Sequence, residues 1–235
     1  MIRINKFLAQ AGIASRRKCD ELIKNGKITI NGKVETSLGR VIDEKRDKVT
    51  FEGNPVVQKQ FVYLKMHKPK GYMCSAKDDR GRKTVYDLLP PMTERVFTIG
   101  RLDYDTEGLL LFTNDGDLAE RISHPRYEVE KVYIAKVSGT IKESDLAVLR
   151  KGVVVEGEVL PESKVEFVSS EKGSTKIQIT IDEGKNHQIK KMIAAIGKEL
   201  LLLKRVQIGR ITLGGLSRGE TKKLTFEETQ DLLTM

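Results

Sequence analysis

Ile4, Phe7, Leu8 and Ala11 recur at the spacing of one helical face, Gly12 interrupts the stripe, and Cys19, Leu22 and Ile23 form a second stripe after Ser15. The spacing predicts two short helices, the second capped by the Ser15 hydroxyl and ended at Gly26. Ile28 and Ile30 then alternate with polar neighbours up to Asn31-Gly32, a dipeptide suited to the positive φ angles of a tight hairpin turn. Residues 40–60 scatter single Val, Ile and Phe among charges, which predicts one closing strand and a connector around Gly53-Asn54-Pro55. A domain boundary is expected there, with one domain over 1–60 and a second over 61–235. Beyond it, alternating apolar runs predict strands at 61–66, 96–99, 109–112, 132–137 and 177–181, with another beginning at 200–203. Helices are expected at 117–123, 144–150, 186–196 and the C-terminus, where Thr225-Phe-Glu-Glu228 makes a capping box. The class is α+β: a small helix-rich N-terminal domain, then a mixed, largely antiparallel sheet with flanking helices.

Charge adds a direction to this outline. Of the net charge of +9, six units lie in residues 1–33, where eight basic side chains face two acidic ones. The helical stripes consume the apolar residues and leave Arg16, Arg17, Lys18, Lys24 and Lys27 to point outward. Such a patch attracts a polyanion by counterion release, although a solvated helix face has the same composition. No apolar run approaches the ~20 residues of a membrane-spanning helix, and the first residues lack a signal peptide's apolar stretch, so a cytoplasmic protein is expected. Cys19 and Cys74 stand far apart, and His67, His124 and His187 form no ligand cluster with them, so neither a disulfide nor a metal site is indicated.

The segment INKFLAQAGIASRRKCDELIKNGKITINGK resembles the S4-like RNA-binding domain, in which helix stripe, SRR step and NGK turn follow in that order. The resemblance implies a grip on structured RNA through Arg16, Arg17 and Lys18, contacts that position a protein without reading sequence.

The densest chemistry lies in GRLDYDTEGLLLFTNDGD, 100–117, where an acidic turn-prone loop is clamped between two apolar strands. Asp103 and Asp105 invite a two-carboxylate glycosidase reading, but loop residues two apart have no fixed separation, so the ~5–9 Å geometry of that mechanism does not follow. Asp115-Gly116-Asp117 suits a turn and helix cap better than a calcium loop, whose other ligand positions are absent.

The whole string resembles the signature loop of the pseudouridine synthases, in the branch that modifies ribosomal RNA (the RsuA and RluB type). YLKMHKPKGYMCS, HPRYEVEKVYIAKVSG, EGKNHQIKKM and LLLKRVQIGRITL are similar to further motifs of that family, in the family's order. The resemblance implies isomerisation of a uridine within RNA, with an extruded nucleotide, a carboxylate at the anomeric carbon, a wall for the uracil and a group that takes the carbon 5 proton. Asp103 is then the catalytic carboxylate, by attack on the sugar or by removal of a ribose proton; taken alone it is an ordinary loop cap or surface ion pair. Tyr133 corresponds to the tyrosine that stacks on uracil and takes the carbon 5 proton, or else is a half-buried strand tyrosine. Lys190 corresponds to the basic partner that keeps the aspartate ionised, with Lys191 competing for the role. Lysine here replaces the arginine of many members and lacks its bidentate fork. Leu203 matches the apolar residue beneath the base, and Arg101 approaches phosphate or steadies the loop. His187 is read as polar support for its helix.

The resemblance therefore implies a cofactor-free, monomeric ribosomal RNA pseudouridine synthase whose partner is ribosomal RNA or a pre-ribosomal particle, active without metal. HPRYEVEKVY and the SRRK step lean to large-subunit RNA, and HQIKKM to the small-subunit type; large-subunit RNA ranks first. The alternative is a non-catalytic RNA-binding or ribosome-assembly factor that keeps the fold.

Overall fold

In the computed structural model, every residue of the chain is described except Lys77 and Glu156. The chain separates into two units, one made of Met1–Val62, Met92–Val96 and Asn114–Gly116, the other of Tyr63–Pro91, Phe97–Thr113 and Asp117–Met235.

In the first unit, β1 (Ile2–Arg3) leads into α1 (Ile4–Gln10), and α2 (Arg16–Lys24) starts where the Ser15 hydroxyl accepts the Lys18 amide at 3.3 Å. Strands β2 (Ile28–Ile30) and β3 (Lys33–Glu35) flank Asn31 and Gly32, whose φ angles of 51° and 80° give the turn its hand. Ile4, Phe7, Leu8, Cys19, Ile23, Ile28 and Ile30 share one core, as their periodicity requires. The expected single closing strand over 40–60 is instead three short ones: β4 (Val41–Ile42) pairs with β1, β5 (Val49–Phe51) with β2, and β6 (Asn54–Pro55) with β5. Glu52 and Gly53 both adopt positive φ, so the chain folds straight back, and Pro55 is tolerated because β6 is an edge.

The second unit runs β7 (Tyr63–Lys68), β8 (Phe97–Ile99), β9 (Glu107–Thr113), α3 (Gly116–Ser123), β10 (Lys131–Ser138), α4 (Glu143–Arg150), β11 (Val153–Val155), β12 (Glu158–Leu160), β13 (Lys164–Glu171), β14 (Ser174–Ile181), α5 (Gln188–Ala195), β15 (Leu200–Ile208), β16 (Ile211–Thr212), β17 (Thr221–Lys223) and α6 (Phe226–Leu233). Its main sheet has the order β13-β14-β10-β15-β9-β7-β17, with β8 added to β9 and β16 to β15. Alternation along β10 and β14 sends Tyr133, Ala135, Val137, Ile177, Ile179 and Ile181 to one face, where Ile189, Met192 and Ile193 of α5 cover them. Leu109 and Leu111 of β9 face a second core with Ile99, Leu118 and Ile122.

Strands β9 and β15 run parallel, joined by the pairs Lys204↔Glu107 and Arg205↔Gly108. Gly108 is required there: its φ is +116°, and a Cβ would lie 2.1 Å from the Arg205 carbonyl oxygen. This close approach brings the loop before β9 beside the side chains of β15.

Candidate active site

The loop between β8 and β9 is held from below by a buried lysine. Lys68, at the end of β7, is fully buried and its ammonium donates to the carbonyls of Pro69 (3.1 Å), Asp103 (2.9 Å) and Thr106 (2.8 Å). Burial holds the Lys68 pKa below the usual lysine value. Three backbone acceptors on one ammonium fix both ends of the 103–106 turn, which the Thr106 amide closes onto the Asp103 carbonyl at 3.2 Å. Leu102 anchors the turn in the core, its amide donating to Cys74 Sγ at 3.4 Å, and the Gly71 amide donates to the Tyr104 carbonyl at 2.8 Å.

Above this support the Asp103 carboxylate is about one-third exposed and lies at a cleft of about 740 Å³. Its Oδ2 is 2.9 Å from Lys190 Nζ of α5 and 3.6 Å from His187 Nε2. Lys190 also reaches Asp105 Oδ1, at 2.6 Å. Burial pulls the Lys190 pKa down, but the hydrogen bonds it donates to Asp105 and Asp103 outweigh it and leave the ammonium above its ordinary value. Burial likewise pushes Asp105 up, and Lys190 reverses this to hold it below the usual carboxylate range. The arrangement is a lysine shared by two carboxylates, where sequence reasoning placed only one. Lys191 points elsewhere, to Glu158. His187, the residue preceding α5, has a φ of 55° and forms no side-chain cap, so its expected role as support for the helix gives way to a position facing Asp103.

Across the cleft, Tyr133 and Leu203 belong to the apolar core and are only 7% exposed, yet both line the cavity, as does the exposed Arg101. Five of the sequence-derived candidates therefore meet at one cavity. Arg16, Arg17 and Lys18 lie on α2 of the other unit; Arg16 and Arg17 are exposed, and Lys18 is paired with Glu21 at 2.6 Å.

Two buried cations at the cavity escaped the sequence reading. Arg205 is buried, its Nε donating to the Leu109 carbonyl at 2.8 Å and its Nη1 3.4 Å from the Tyr133 hydroxyl. Lys131 is 9% exposed and donates to the carbonyls of Val129 (2.8 Å) and Asp182 (2.6 Å); burial, then the neighbouring Arg205, pushes its pKa down to about 8. Both sit in strands whose apolar alternation hides an inward-facing cation. Their signal was a basic residue two places from an assigned one, Lys131 before Tyr133 and Arg205 after Leu203. Among the described residues no group of His, Cys, Asp and Glu could hold a metal ion, and no helix is long and apolar enough to cross a membrane.

The sequence pattern of the RNA pseudouridylate synthase family matches residues 62–195, and that of the S4 domain matches residues 2–47. The chain belongs to the RNA pseudouridylate synthase family. It is 43% identical to ribosomal large subunit pseudouridine synthase B of Bacillus subtilis (strain 168), covering 99% of this chain and 96% of that protein. It is 41% identical to an uncharacterized RNA pseudouridine synthase of Aquifex aeolicus (strain VF5), over 98% of this chain and 93% of the relative. A crystal structure of a pseudouridylate synthase superposes with a TM-score of 0.71 at 30% identity, covering 99% of this chain and all of the other. This synthase is thus an isomerase built as an S4 domain followed by a mixed-sheet domain.

Proposed function

We propose that this synthase converts a uridine of ribosomal RNA, in the large subunit, to pseudouridine, with Asp103 as the catalytic carboxylate. The observation that carries the reading is the Asp103 carboxylate, held on a stiffened turn 2.9 Å from Lys190 at a cleft of about 740 Å³. That volume falls in the range of small-molecule sites, roughly 300–1,000 Å³, and so admits one extruded nucleotide. The large-subunit assignment is supported by the Bacillus subtilis relative, whose name specifies that RNA.

The reaction breaks the bond from ribose C1′ to N1, turns the uracil, and forms a bond from C1′ to C5. The proton on C5 leaves and N1 gains one, so nothing is consumed. Asp103 acts at the sugar, by attack on C1′ or by removal of a ribose proton, and Lys190 keeps it ionised by Coulomb attraction. Tyr133 walls the base and serves the C5 proton, Leu203 lies beneath the ring, and Arg101 meets phosphate at the mouth. Arg16, Arg17 and Lys18 supply RNA affinity from an N-terminal domain of residues 1–60, and residues 61–235 supply the chemistry. The enzyme acts as a monomer in the cytoplasm, on free RNA or an assembling particle.

The test is Asp103→Asn assayed on ribosomal RNA from cells lacking the protein. Pseudouridine formation is expected to fall by at least ~10³-fold with RNA binding retained. Undiminished product from the variant would remove Asp103 from the chemistry, and mapping the pseudouridines missing from those cells identifies the target.

A further inference from the structure

Arg205 has no role in the assignments above, yet of the described cavity residues with a buried, unmatched polar atom, Thr106, Gln188 and Arg205, it is the one that carries charge. Its side chain is 3% exposed, and two of its nitrogens have protein partners, the Leu109 carbonyl and the Tyr133 hydroxyl. Its Nη2 is buried and has no acceptor among the described residues. A guanidinium cannot shed its proton to escape this, and a buried donor left unmatched is costly. The other lysines and arginines at the cavity are differently placed: Arg101 is exposed, Lys185 donates to the Val159 carbonyl at 2.9 Å, Lys190 is bound by two carboxylates, and Lys131 has given two of its three donors to backbone carbonyls.

We infer that Arg205 is a base-recognition residue, whose Nη2 donates to a carbonyl oxygen of the target uracil while Nη1 holds the Tyr133 hydroxyl. The inference rests on the cleft being the uridine site. A backbone phosphate stays at the rim of a cleft, whereas a donor this buried, beside the ring of Tyr133, is reached by a group inserted into the cavity. The Arg205 guanidinium carbon stands 5.9 Å from the Tyr133 ring centre, over the ring, so a base entering beside the tyrosine comes within reach of the guanidinium. The contact also suits the reaction. When the bond from C1′ to N1 breaks, its electron pair passes to N1 and is shared onto O2 and O4, so a fixed cation at either oxygen gains strength on the way to the transition state. The charge is discharged when N1 takes up its proton and C5 loses one.

The experiment uses the full-length enzyme and a synthetic RNA hairpin carrying the mapped uridine, with that nucleotide as uridine, 2-thiouridine or 4-thiouridine. Sulfur is the weaker acceptor, so the wild-type single-turnover rate should drop roughly 10-fold or more on one of the two thio RNAs. Arg205→Gln should be at least that slow on uridine and indifferent to the same sulfur, with Arg205→Lys between the two. A wild-type enzyme that turns over all three RNAs equally overturns the inference, and this holds even where both variants fail to fold by circular dichroism. A variant that is slower on every RNA but keeps the wild-type sulfur effect also overturns it, because Arg205 would then act through the fold alone. Should the wild-type enzyme form no pseudouridine in any ribosomal RNA, the proposed function fails first and the base contact with it; a missing sulfur effect in an active enzyme removes the base contact only.

Discussion

The two units carry positive charge in opposite ways. On α2, Arg16 and Arg17 are exposed on a nine-residue helix whose core stripe and cap are local to the sequence. In and beneath the cleft, Lys68, Lys131, Lys190 and Arg205 come from four separate elements, and each is tied to backbone carbonyls or carboxylates. Exposed cations are interchangeable and screened by salt, which suits affinity. Cations held in place cost desolvation and offer fixed geometry in return, which suits chemistry.

The strongest way to break the contrast is to disturb the seam that assembles the buried set. Gly108→Ala forces a Cβ to within 2.1 Å of the Arg205 carbonyl at a φ foreign to alanine, and should cost more than about 4 kcal/mol or yield no folded protein. Denaturant titration checks it, and near-wild-type stability would refute the close approach.

Next in size is Lys68→Met, which strands the Pro69, Asp103 and Thr106 carbonyls. Destabilisation of about 1–3 kcal/mol is expected. The rate should fall roughly 100-fold as the loop shifts, with RNA affinity unchanged. Loss of affinity without loss of rate would reverse the division of labour between the units.

Lys131 sharpens the comparison through pH. Its folded pKa of about 8 lies below the unfolded value of about 10.4, so the unfolded chain binds more protons between them and stability gains with rising pH in that window. Subtracting the stability profile of Lys131→Met from that of the wild type should leave a rise from pH 8 to 10; a flat difference would place Lys131 in a solvated site. The smallest effect on catalysis belongs to α2. Arg16→Glu with Arg17→Glu should weaken RNA binding and lower the slope of log affinity against log salt by about 1.5, leaving the rate at saturating RNA intact.

Legibility in the sequence follows the same division. The helices, cap and hairpin turn of the first unit are readable because Ser15, Asn31 and Gly32 act on residues within a few positions. In the second unit the central strands announce themselves through alternation, but β13 does not, because as an edge strand it leaves Phe167 and Val168 exposed and buries chiefly Val165. Asp103, Tyr133, Lys190, Arg101 and Leu203 were found through motif resemblance, and nothing local in the sequence brings them to one cavity. The sharing of Lys190 with Asp105 and the inward turn of Arg205 arise from pairing between distant strands, which no window of sequence contains.

The narrowness of that pairing governs when the enzyme becomes competent during folding. β9 lies beside its antiparallel partners β7 and β8, whereas its junction with β15 consists of two parallel residue pairs nearly a hundred positions apart in the chain. Hairpin-like pieces on either side close early because their loops are shorter, and the distant junction closes after them. Newly refolded molecules therefore regain their spectroscopic signature before they regain turnover, and the interval between the two reports on the two ladder rungs at Glu107 and Gly108.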